Sequence, residues 1–517
     1  MIKTIDLYLE PNFYNEQVLK NIISQKYNIE AQRIKYIKVV KKSIDARNVK
    51  IKLFYRLLVY INEYPEFSDN LAYFPASKVT NKRVIVVGMG PAGIFASLKL
   101  LMNGIKPIII EQGKEIYERK KDIALMYRQN EVNENSNYCY GEGGAGAFSD
   151  GKLFTRSNKK GDISLFLRIL VQAGANEDIL SDAYPHIGSD KLSRILKNIR
   201  KWILDSGGEI YFSTKLTDFI IESDTCKGII ANNSEKIFAD AVILATGHSS
   251  RDVYTLLVSR GLSLEAKGFA MGVRVEHLQN KINLMQYHGS KYLKYLPAAE
   301  YKITEQVNGR GVYSFCMCPG GFILPAMTEK NTIVVNGMSN SKRNSQFANS
   351  GFVVEIRPED CIKYGKALDL LEFQVELEKL AYNAVQKGLV APAQRIVDFI
   401  SFRLSNNLPK SSYMPGIYSS PMHEWLPSLI KDKLREAFLK IKKRMPDFIT
   451  EDAIMVGVET RTSSPVRIAR NATTLEHVQL KNLYPCGEGA GYAGGITSSA
   501  IDGMNVAEVI SNKLISK

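Results

Sequence analysis

Apolar and polar residues along this chain alternate between the spacing of buried strands and the spacing of helices. Arg83–Val87 is a short β-branched run, which predicts a buried strand of a parallel sheet. The apolar residues from Ile94 to Leu101 recur at helical spacing, and Gly104 ends the helix. Ile105–Ile110 predicts a second strand. This β-α-β order predicts an α/β fold with parallel strands.

The first 80 residues predict a small βαββ unit, followed by a linker over Pro65–Lys82. Its elements are expected at Thr4–Leu9 (strand), Asn15–Tyr27 (helix), Ile34–Val40 (strand) and Val49–Tyr60 (strand). The unit also carries a group of basic residues: Lys38, Lys41, Lys42 and Arg47. These side chains could contact RNA or a protein partner, or they could form a solvated sheet face, and the sequence leaves both interpretations open.

Further elements follow along the chain, and one of them is a helix that Ser189 or Asp190 could cap and that runs to about Asp205. Strands are expected at Glu209–Phe212, Leu216–Glu222, Gly228–Ala231, Ala241–Ala245, Phe269–Glu276, Val312–Cys318, Thr332–Gly337, Phe352–Ile356 and Leu483–Pro485. Helices are expected at Lys114–Arg128, Leu368–Lys387, Ser428–Arg444 and Ile496–Ile515. The mixed pattern over residues 263–450 predicts an inserted domain, because the α/β pattern resumes after it.

Composition narrows the class of protein. The chain has 517 residues and a net charge of +15, which suits either a nucleic-acid or membrane-surface partner or a lysine-rich surface without one. Lysines are spread along the whole chain, which favours the second interpretation. The sequence has no apolar leader and no apolar run of about 18 residues, so we expect no membrane span. Six scattered cysteines predict a reduced, cytoplasmic protein. We expect no metal site, because Cys and His do not cluster.

Three glycines after the first strand have the spacing G-x-G-x-x-G, namely Gly88, Gly90 and Gly93. In a dinucleotide-binding unit the first permits a tight turn, the second lets the backbone approach a pyrophosphate, and the third lets the helix pack closely. Pro91 and Ala92 open that helix, whose N-terminus offers free N–H groups to phosphate. Glu111, 23 residues after Gly88, ends the second strand, where a carboxylate accepts hydrogen bonds from ribose hydroxyls.

Two more segments are rich in glycine, and glycine density of this kind indicates either close approach to a ligand or a mobile loop. The first, residues 137–156, contains Gly143, Gly144 and Gly146. The second contains Gly487, Gly489, Gly491, Gly494 and Gly495, and precedes a helix that begins at Ile496. Between them, a strand leads into Ala245-Thr246-Gly247.

Together these segments resemble the FAD-binding flavoproteins of the glutathione-reductase-like superfamily. More narrowly, GEGGAGAFSDGK, ATGHSSRD, FCMCPGG, GVETRTSSPVRI and GEGAGYAGGI resemble bacterial FAD-dependent dehydrogenases, a family that is mostly uncharacterised. The resemblance implies a three-layer (ββα), Rossmann-like FAD-binding domain, an inserted α+β substrate domain and a small N-terminal α/β domain. The implied division is 1–80, the FAD-binding domain in two parts (81–262 and 451–517), and the substrate or cap domain at 263–450.

The resemblance also assigns cofactor contacts. Gly88, Gly90 and Gly93 would hold the FAD pyrophosphate, Glu111 the adenosine ribose, and Gly143, Gly144 and Gly146 would pass near the pyrophosphate or flavin. Thr246 and Gly247 match the second fingerprint of such proteins. Gly487-Glu488 matches a loop whose acid binds the ribitol, although the usual acid is Asp and Glu is one methylene longer. Gly495 and Ile496 would face O2 and N1 of the isoalloxazine, where a helix dipole stabilises the charge of reduced flavin.

Candidate catalytic residues lie in the insert and beside it. Arg274 and Glu276 share one face of a predicted strand. Arg461 and Arg467 flank a short loop and could clamp a carboxylate or phosphate, although each arginine could equally form an ion pair. Cys316 and Cys318 precede Pro-Gly-Gly, a turn that could bring a thiol to the flavin, or they could simply be small strand residues.

We therefore predict an FAD-dependent oxidoreductase, a dehydrogenase, that transfers hydride between flavin N5 and a small, anionic metabolite. NAD(P)H is a further possible electron donor, although the sequence has only one full dinucleotide fingerprint, with strand, glycines, helix, strand and acid in order. Two alternatives stay open: a flavoprotein that modifies tRNA through its basic N-terminal domain, and a sensor that binds FAD without turnover. The sequence does not define the oligomeric state.

Overall fold

The computed structural model describes residues 1–12, 15–65, 72–76, 78–155, 161–361 and 367–515. Part of the predicted linker (66–71 and 77) and Arg156 of the predicted loop lie outside this range. The N-terminal elements are β1 (Ile2–Leu9), α1 (Glu16–Tyr27), β2 (Ile34–Asp45) and β3 (Lys52–Ile61). They form an antiparallel sheet of order β1-β3-β2, and α1 packs on one face through Leu19 and Ile23.

The next segment builds the first part of the central α/β unit. It comprises β4 (Arg83–Val87), α2 (Pro91–Met102), β5 (Lys106–Ile110), α3 (Ile116–Gln129), α4 (Ile163–Gln172), α5 (Ser189–Asp205), β6 (Glu209–Tyr211), β7 (Leu216–Glu222), β8 (Thr225–Ala231), β9 (Glu235–Phe238), β10 (Ala241–Leu244) and α6 (Arg251–Ser259).

The inserted segment and the C-terminal return follow. Their elements are β11 (Leu264–Ala266), β12 (Phe269–Leu278), α7 (Gln279–Gln286), β13 (Thr304–Val307), β14 (Arg310–Cys318), β15 (Gly321–Pro325), β16 (Val335–Ser339), β17 (Phe347–Ile356), α8 (Asp369–Asn383), β18 (Ala391–Arg395), α9 (Ile396–Ile400), β19 (Ile417–Ser419), α10 (Met422–Trp425), α11 (Ser428–Arg444), β20 (Ile454–Glu459), β21 (Val466–Ile468), β22 (Leu483–Pro485) and α12 (Ile496–Ile515).

A five-stranded parallel sheet of order β22-β10-β4-β5-β6 lies at the centre of the α/β unit. Alternate residues of its strands face opposite sides, so Val84 and Val86 pack against helices including α2 and α12. Ile85 and Val87 pack on the other side, in a core shared with β7 and β8 of the antiparallel β7-β8-β9 sheet. The structure confirms the predicted three-layer α/β fold.

The insert is built on a seven-stranded sheet of order β13-β14-β17-β12-β20-β18-β19. Its helices α8 and α11 pack against it through Leu370, Leu377, Leu434 and Phe438. The sheet includes β20, so it extends beyond residue 450, where the sequence placed the return to the FAD-binding part.

The predicted cap of α5 is wrong. Gly188, with φ 88°, occupies the N-cap position, where no side chain caps the helix. The Asp190 carboxylate instead accepts hydrogen bonds from the backbone N–H and the hydroxyl of Ser341, at 2.7 and 2.8 Å. The acid is used to join α5 to the insert, a contact that local sequence does not reveal.

Candidate functional site

A cavity of about 1910 Å³ opens between the parallel sheet, the insert and the N-terminal sheet. Its wall includes Gly90 and Gly495 from the α/β unit, Cys316 and Tyr301 from the insert, and Ser43 from β2. Ligand pockets usually measure about 300–1,000 Å³. The cavity is therefore large enough for a dinucleotide together with a second small molecule.

The fingerprint glycines have separate geometric roles at this cavity. Gly88 has φ 101°, and a Cβ on it would lie 2.5 Å from the Ala245 carbonyl oxygen. A Cβ on Gly93 would lie 2.0 Å from the Gly88 carbonyl oxygen, so α2 packs against the turn. For Gly90, the nearest described atom is the Cα of Gly144, at 4.0 Å. A side chain on Gly90 would thus enter the cavity rather than the protein core.

The Glu111 carboxylate joins three loops at the cavity wall. One oxygen accepts the N–H of Met89 at 2.8 Å, and the other accepts the N–H groups of Gly113 and Gly141, both at 2.9 Å. An ionised carboxylate has about four acceptor positions, so one is left for a ligand. The predicted contact with ribose stays a prediction, but the structure adds that Glu111 fixes the backbone that would hold the phosphates.

Arg119, on α3, forms hydrogen bonds with the backbone of the first glycine-rich loop. Its guanidinium is fully buried and donates to the carbonyl oxygens of Asn137 (2.7 Å), Glu142 (2.8 Å) and Gly144 (2.9 Å). Sequence reasoning missed this residue, because it lies in a charged run that resembles a solvated face. Its position in the apolar row Ile116–Arg119–Ile123 was the available signal, since residues three and four apart share a helix face.

The N-terminus of α12 also opens on the cavity. Gly495 and the first turn of the helix line the wall, and no described atom lies within 4 Å of where a Cβ on Gly494 or Gly495 would be. Gly146 brings the first glycine-rich loop to this end, because a Cβ on it would lie 3.2 Å from the Ile496 side chain. Two helix N-termini therefore face one cavity, and each supplies unpaired N–H groups and positive potential.

The remaining predicted cofactor residues surround this arrangement. Thr246 and Gly247 line the cavity, and a Cβ on Gly489 would lie 2.3 Å from the Gly247 carbonyl oxygen. Gly487 lies behind the wall and donates its N–H to Asp502 at 2.8 Å. Gly143, with φ 83°, likewise turns the chain without lining the cavity. The α/β unit thus brings the predicted cofactor residues to one end of the parallel sheet.

Two titratable groups at the cavity wall, Glu488 and His248, have pKa values far from their ordinary ones. Burial raises the pKa of the Glu488 carboxyl to about 7, Lys267 opposes this effect, and the charge of Cys316 adds to it. Burial, reinforced by Arg461, lowers the pKa of the His248 imidazole to about 4. His248 Nδ1 lies 3.9 Å from a Glu488 oxygen. Glu488 can therefore take up or release a proton near neutral pH, whereas His248 stays neutral.

Arg461 lines the cavity, but its guanidinium already has partners. It contacts both oxygens of the buried Glu378, at 3.2 and 3.1 Å, and the hydroxyls of Ser249 and Thr328, at 3.2 and 2.9 Å. Arg251 binds the same carboxylate at 2.7 Å. The sequence left open whether Arg461 forms an ion pair. The structure shows that it does, and the pair joins α8 of the insert to the loop after β20.

The other two predicted arginines are also paired. Arg274 is fully buried and contacts Glu459 at 2.8 Å and Asn349 at 2.7 Å, behind the cavity wall. Arg467 is 44% exposed and lies 3.8 Å from Glu265 of β11, outside the cavity lining. Glu276 is buried, and its carboxylate accepts from the backbone N–H of Ser412 at 3.0 Å. The structure does not bring these residues together with Arg461 at one surface.

Cys316, like Arg461, is a predicted catalytic residue at the cavity. It lines the wall, whereas Cys318 is buried behind it. The Lys152 ammonium donates to the Met317 carbonyl between them and lies 3.4 Å from Glu300. Arg343 contacts Asp150 and Glu300 nearby. Lys152 and Arg343 were not predicted, because their proximity to the cysteines arises only when the glycine-rich loop meets β14.

Nearly the whole chain matches an uncharacterized protein from Clostridium beijerinckii (strain ATCC 51743 / NCIMB 8052). The two are 40% identical over an alignment 531 residues long, which covers 99% of this chain and 98% of that protein. Residues 268–462 match the family described as FAD-dependent protein, C-terminal domain-like, and residues 1–60 match a domain of unknown function. The chain belongs to a family of FAD-dependent flavoproteins.

Two solved structures are less similar to this flavoprotein than the Clostridium beijerinckii protein is. One is a geranylgeranyl bacteriochlorophyll reductase-like protein from Thermoplasma acidophilum, with 12% identity, a TM-score of 0.36, and coverage of 84% of this chain and 79% of that chain. The other is a flavin-dependent brominase, with 12% identity, a TM-score of 0.38, and the same coverage of 84% and 79%.

A membrane-spanning helix, a metal-binding cluster and a disulfide are each absent from the described residues. None of their helices is long and apolar enough to cross a membrane. Among the same residues, no group of three or more His, Cys, Asp or Glu side chains is arranged to hold a metal ion. The six cysteines all lie in the described part of the chain, and no disulfide joins any two of them.

Proposed function

We propose that this flavoprotein is an FAD-dependent oxidoreductase that transfers hydride between flavin N5 and a small anionic metabolite. The observation that supports it best is the pair of helix N-termini, of α2 and α12, that open on one cavity. One suits a diphosphate, and the other suits the negative charge of a reduced isoalloxazine. FAD, when bound, supplies the two-electron chemistry, because side chains alone cannot carry a hydride.

The residues present fit this cofactor. Gly90 leaves open space beside the N-terminus of α2, so a diphosphate could contact the backbone N–H groups there. Glu111 has a remaining acceptor position for ribose hydroxyls. Gly494 and Gly495 leave similar space at the start of α12. Glu488, beside them, would hold ribitol or exchange a proton with the ligand. These roles also underlie the proposed kinship with the glutathione-reductase-like superfamily.

We assign recognition of the substrate's negative charge to Lys152. The two arginines that suggested an anionic substrate, Arg461 and Arg467, are paired with Glu378 and Glu265 in the structure. Lys152 lines the cavity and uses one N–H on the Met317 carbonyl and another toward Glu300. An ammonium has three donors, so a third is available to a carboxylate or phosphate of the substrate.

Anaerobic visible absorbance of the purified protein tests the proposal, first alone, then with NADH, then with NADPH, and finally with a panel of carboxylate and phosphate metabolites. We expect a flavin spectrum that one of these compounds bleaches. A Lys152→Met variant should retain the flavin and lose reduction by the anionic compound. Purified protein that carries no flavin and takes up none on addition of FAD would overturn the assignment.

A second candidate function is binding of tRNA by the N-terminal sheet. The face opposite α1 carries two aromatic pairs, Tyr8–Phe54 and Tyr36–Tyr60, with ring centroids 5.1 and 5.8 Å apart. Unpaired bases stack on such side chains, and the basic residues of β2 would contact the backbone. Binding of tRNA in a gel shift at low salt tests this candidate, because electrostatic binding is strongest there. Absence of binding under that condition rejects it.

A further inference from the structure

Cys316 lies at an irregularity in β14. The pairing of β14 with β17 is regular up to Phe315 and shifts before Cys318, so Cys316 falls in a bulge. Its φ is 44°, in the left-handed region that residues other than glycine rarely adopt. Bulges re-aim side chains, often next to active sites. Here the bulge accompanies a thiol that lines the cavity.

Cys318 lies directly behind this thiol. The Cys318 thiol donates a hydrogen bond to the Cys316 carbonyl oxygen at 3.4 Å, which turns its sulfur back toward Cys316. Residues two apart on a strand are separated by about 6.6 Å, which is within the Cα range found in disulfides. Cys316 is reachable from the cavity and Cys318 is fully buried. One thiol can thus meet a ligand while the other closes a disulfide behind it.

Two cations favour negative charge on Cys316. The Arg274 guanidinium lies 2.8 Å from the Cys316 carbonyl oxygen and 3.4 Å from Cys318 Sγ, and the Lys152 ammonium binds the Met317 carbonyl between the cysteines. The proximity of Cys318, together with these cations, lowers the pKa of the Cys316 thiol, and the proximity of Cys316 together with burial raises the pKa of Cys318. A thiolate and a neutral thiol side by side are the form from which a disulfide develops.

The same pair lies next to the residues assigned to the flavin. Lys152 and Asp150 belong to the first glycine-rich loop, and both affect the acidity of Cys316. Glu488, in the second glycine-rich loop, is close enough for the Cys316 charge to raise its pKa. Cys316 therefore shares one cavity wall with both of the loops that would hold the cofactor.

We propose that Cys316 and Cys318 form a redox-active dithiol that exchanges two electrons with the flavin, an inference that rests on the proposed function. An S–S bond forms as the Cys316 thiolate and the Cys318 thiol lose two electrons and one proton. Both electrons and the proton pass to oxidised FAD, which leaves the reduced, anionic flavin. The reverse step returns the thiolate and the thiol.

An anaerobic reductive titration of the oxidised, FAD-loaded protein with dithionite tests the proposal. We expect the wild type to consume about four electrons per flavin, and Cys318→Ser about two, because a dithiol couple carries two electrons. Cys361→Ser is the control, since Cys361 lies outside the cavity lining and should leave about four. Each variant is accepted only with its FAD spectrum intact.

A second measurement needs no variant. Mass spectrometry of the oxidised wild type should show a disulfide within the peptide that contains residues 316 and 318, and the disulfide should disappear after the titration. Consumption of about two electrons by the wild type, with both thiols still reactive, would overturn this proposal and leave the proposed function standing. Protein that binds no FAD would overturn both.

Discussion

Gly503 of α12 lies directly against Ala92 of α2: a Cβ on Gly503 would come within 2.1 Å of the Ala92 carbonyl oxygen. The missing side chain lets the two helices touch backbone to backbone. Their N-termini then open on the same cavity, which is the arrangement that the proposed cofactor needs. The contact joins segments that are more than 400 residues apart in sequence.

Gly503→Ala should therefore destabilise the protein by about 1–3 kcal/mol, because the added carbon overpacks the helix contact. Helix propensity alone predicts the opposite sign, since alanine is favoured over glycine by about 1 kcal/mol inside a helix. Urea unfolding decides which effect is larger. Gly311→Ala serves as the control, because its Cβ would make only ordinary contacts, the nearest at 3.7 Å. A more stable Gly503→Ala protein would contradict the packing argument.

Gly90→Ala should weaken FAD binding without unfolding the protein. Gly90 has φ −80°, which alanine adopts freely, and its Cβ would enter the cavity beside α2. We expect at least about a tenfold higher Kd for FAD, which corresponds to about 1.4 kcal/mol. Fluorescence titration with FAD measures the affinity, and thermal unfolding of the flavin-free protein checks the fold. Equal affinity in wild type and variant would place the diphosphate elsewhere.

Glu378→Gln should be among the most damaging single changes in the insert. It leaves the buried Arg251 and Arg461 without their shared carboxylate, and removing one partner of a buried ion pair costs about 3–5 kcal/mol. Glu265→Gln is the matched control, because its partner Arg467 is 44% exposed and such pairs contribute about 0–1 kcal/mol. Similar unfolding midpoints in urea for the two variants would show that the pair at Glu378 is not structurally important.

The same carboxylate should make the protein sensitive to acid. The pKa of Glu378 falls from 4.5 to about 2: burial acts to raise it, but Arg461 and Arg251 together outweigh that effect. Between these values the unfolded chain binds the additional proton, so stability is lost as the pH falls from about 4.5 to 2. Urea unfolding across this range should show a steeper loss for the wild type than for Glu378→Gln. Parallel curves would exclude Glu378 as the source.

Glu488 should give the opposite dependence at higher pH. Its folded pKa of about 7 lies above the ordinary 4.5, so the folded protein binds the additional proton between these values. The contribution of Glu488 to the free energy of unfolding is present at pH 4.5 and is lost as the pH rises through 7. In flavin-free protein, the free energy of unfolding should fall between pH 5 and 8 more for the wild type than for Glu488→Gln. A slope unchanged by the substitution would assign the titration to another group.

The sequence by itself determined the β-α-β core and the ends of its strands. The spacing of Gly88, Gly90 and Gly93 implies a tight turn and a closely packed helix, because Gly88 turns the chain with a positive φ and a Cβ on Gly93 would meet the carbonyl oxygen of Gly88, five residues earlier. The same holds for α12, whose start follows directly from the glycines before Ile496. Local sterics and periodicity contain this information, so the α/β fold with parallel strands could be predicted, whereas its three-layer arrangement was implied by the family resemblance.

Only the tertiary structure decided which charged residues are paired. Arg274 meets Glu459, and Arg461 meets Glu378, across 185 and 83 residues of sequence. A buried charge needs a partner, but which partner it finds depends on how β12, β20 and α8 pack. The same reason explains why Arg119 and Lys152 were missed: their backbone and side-chain partners are brought to them by the glycine-rich loop and by β14. The chemistry of the cavity is therefore set by packing between distant segments.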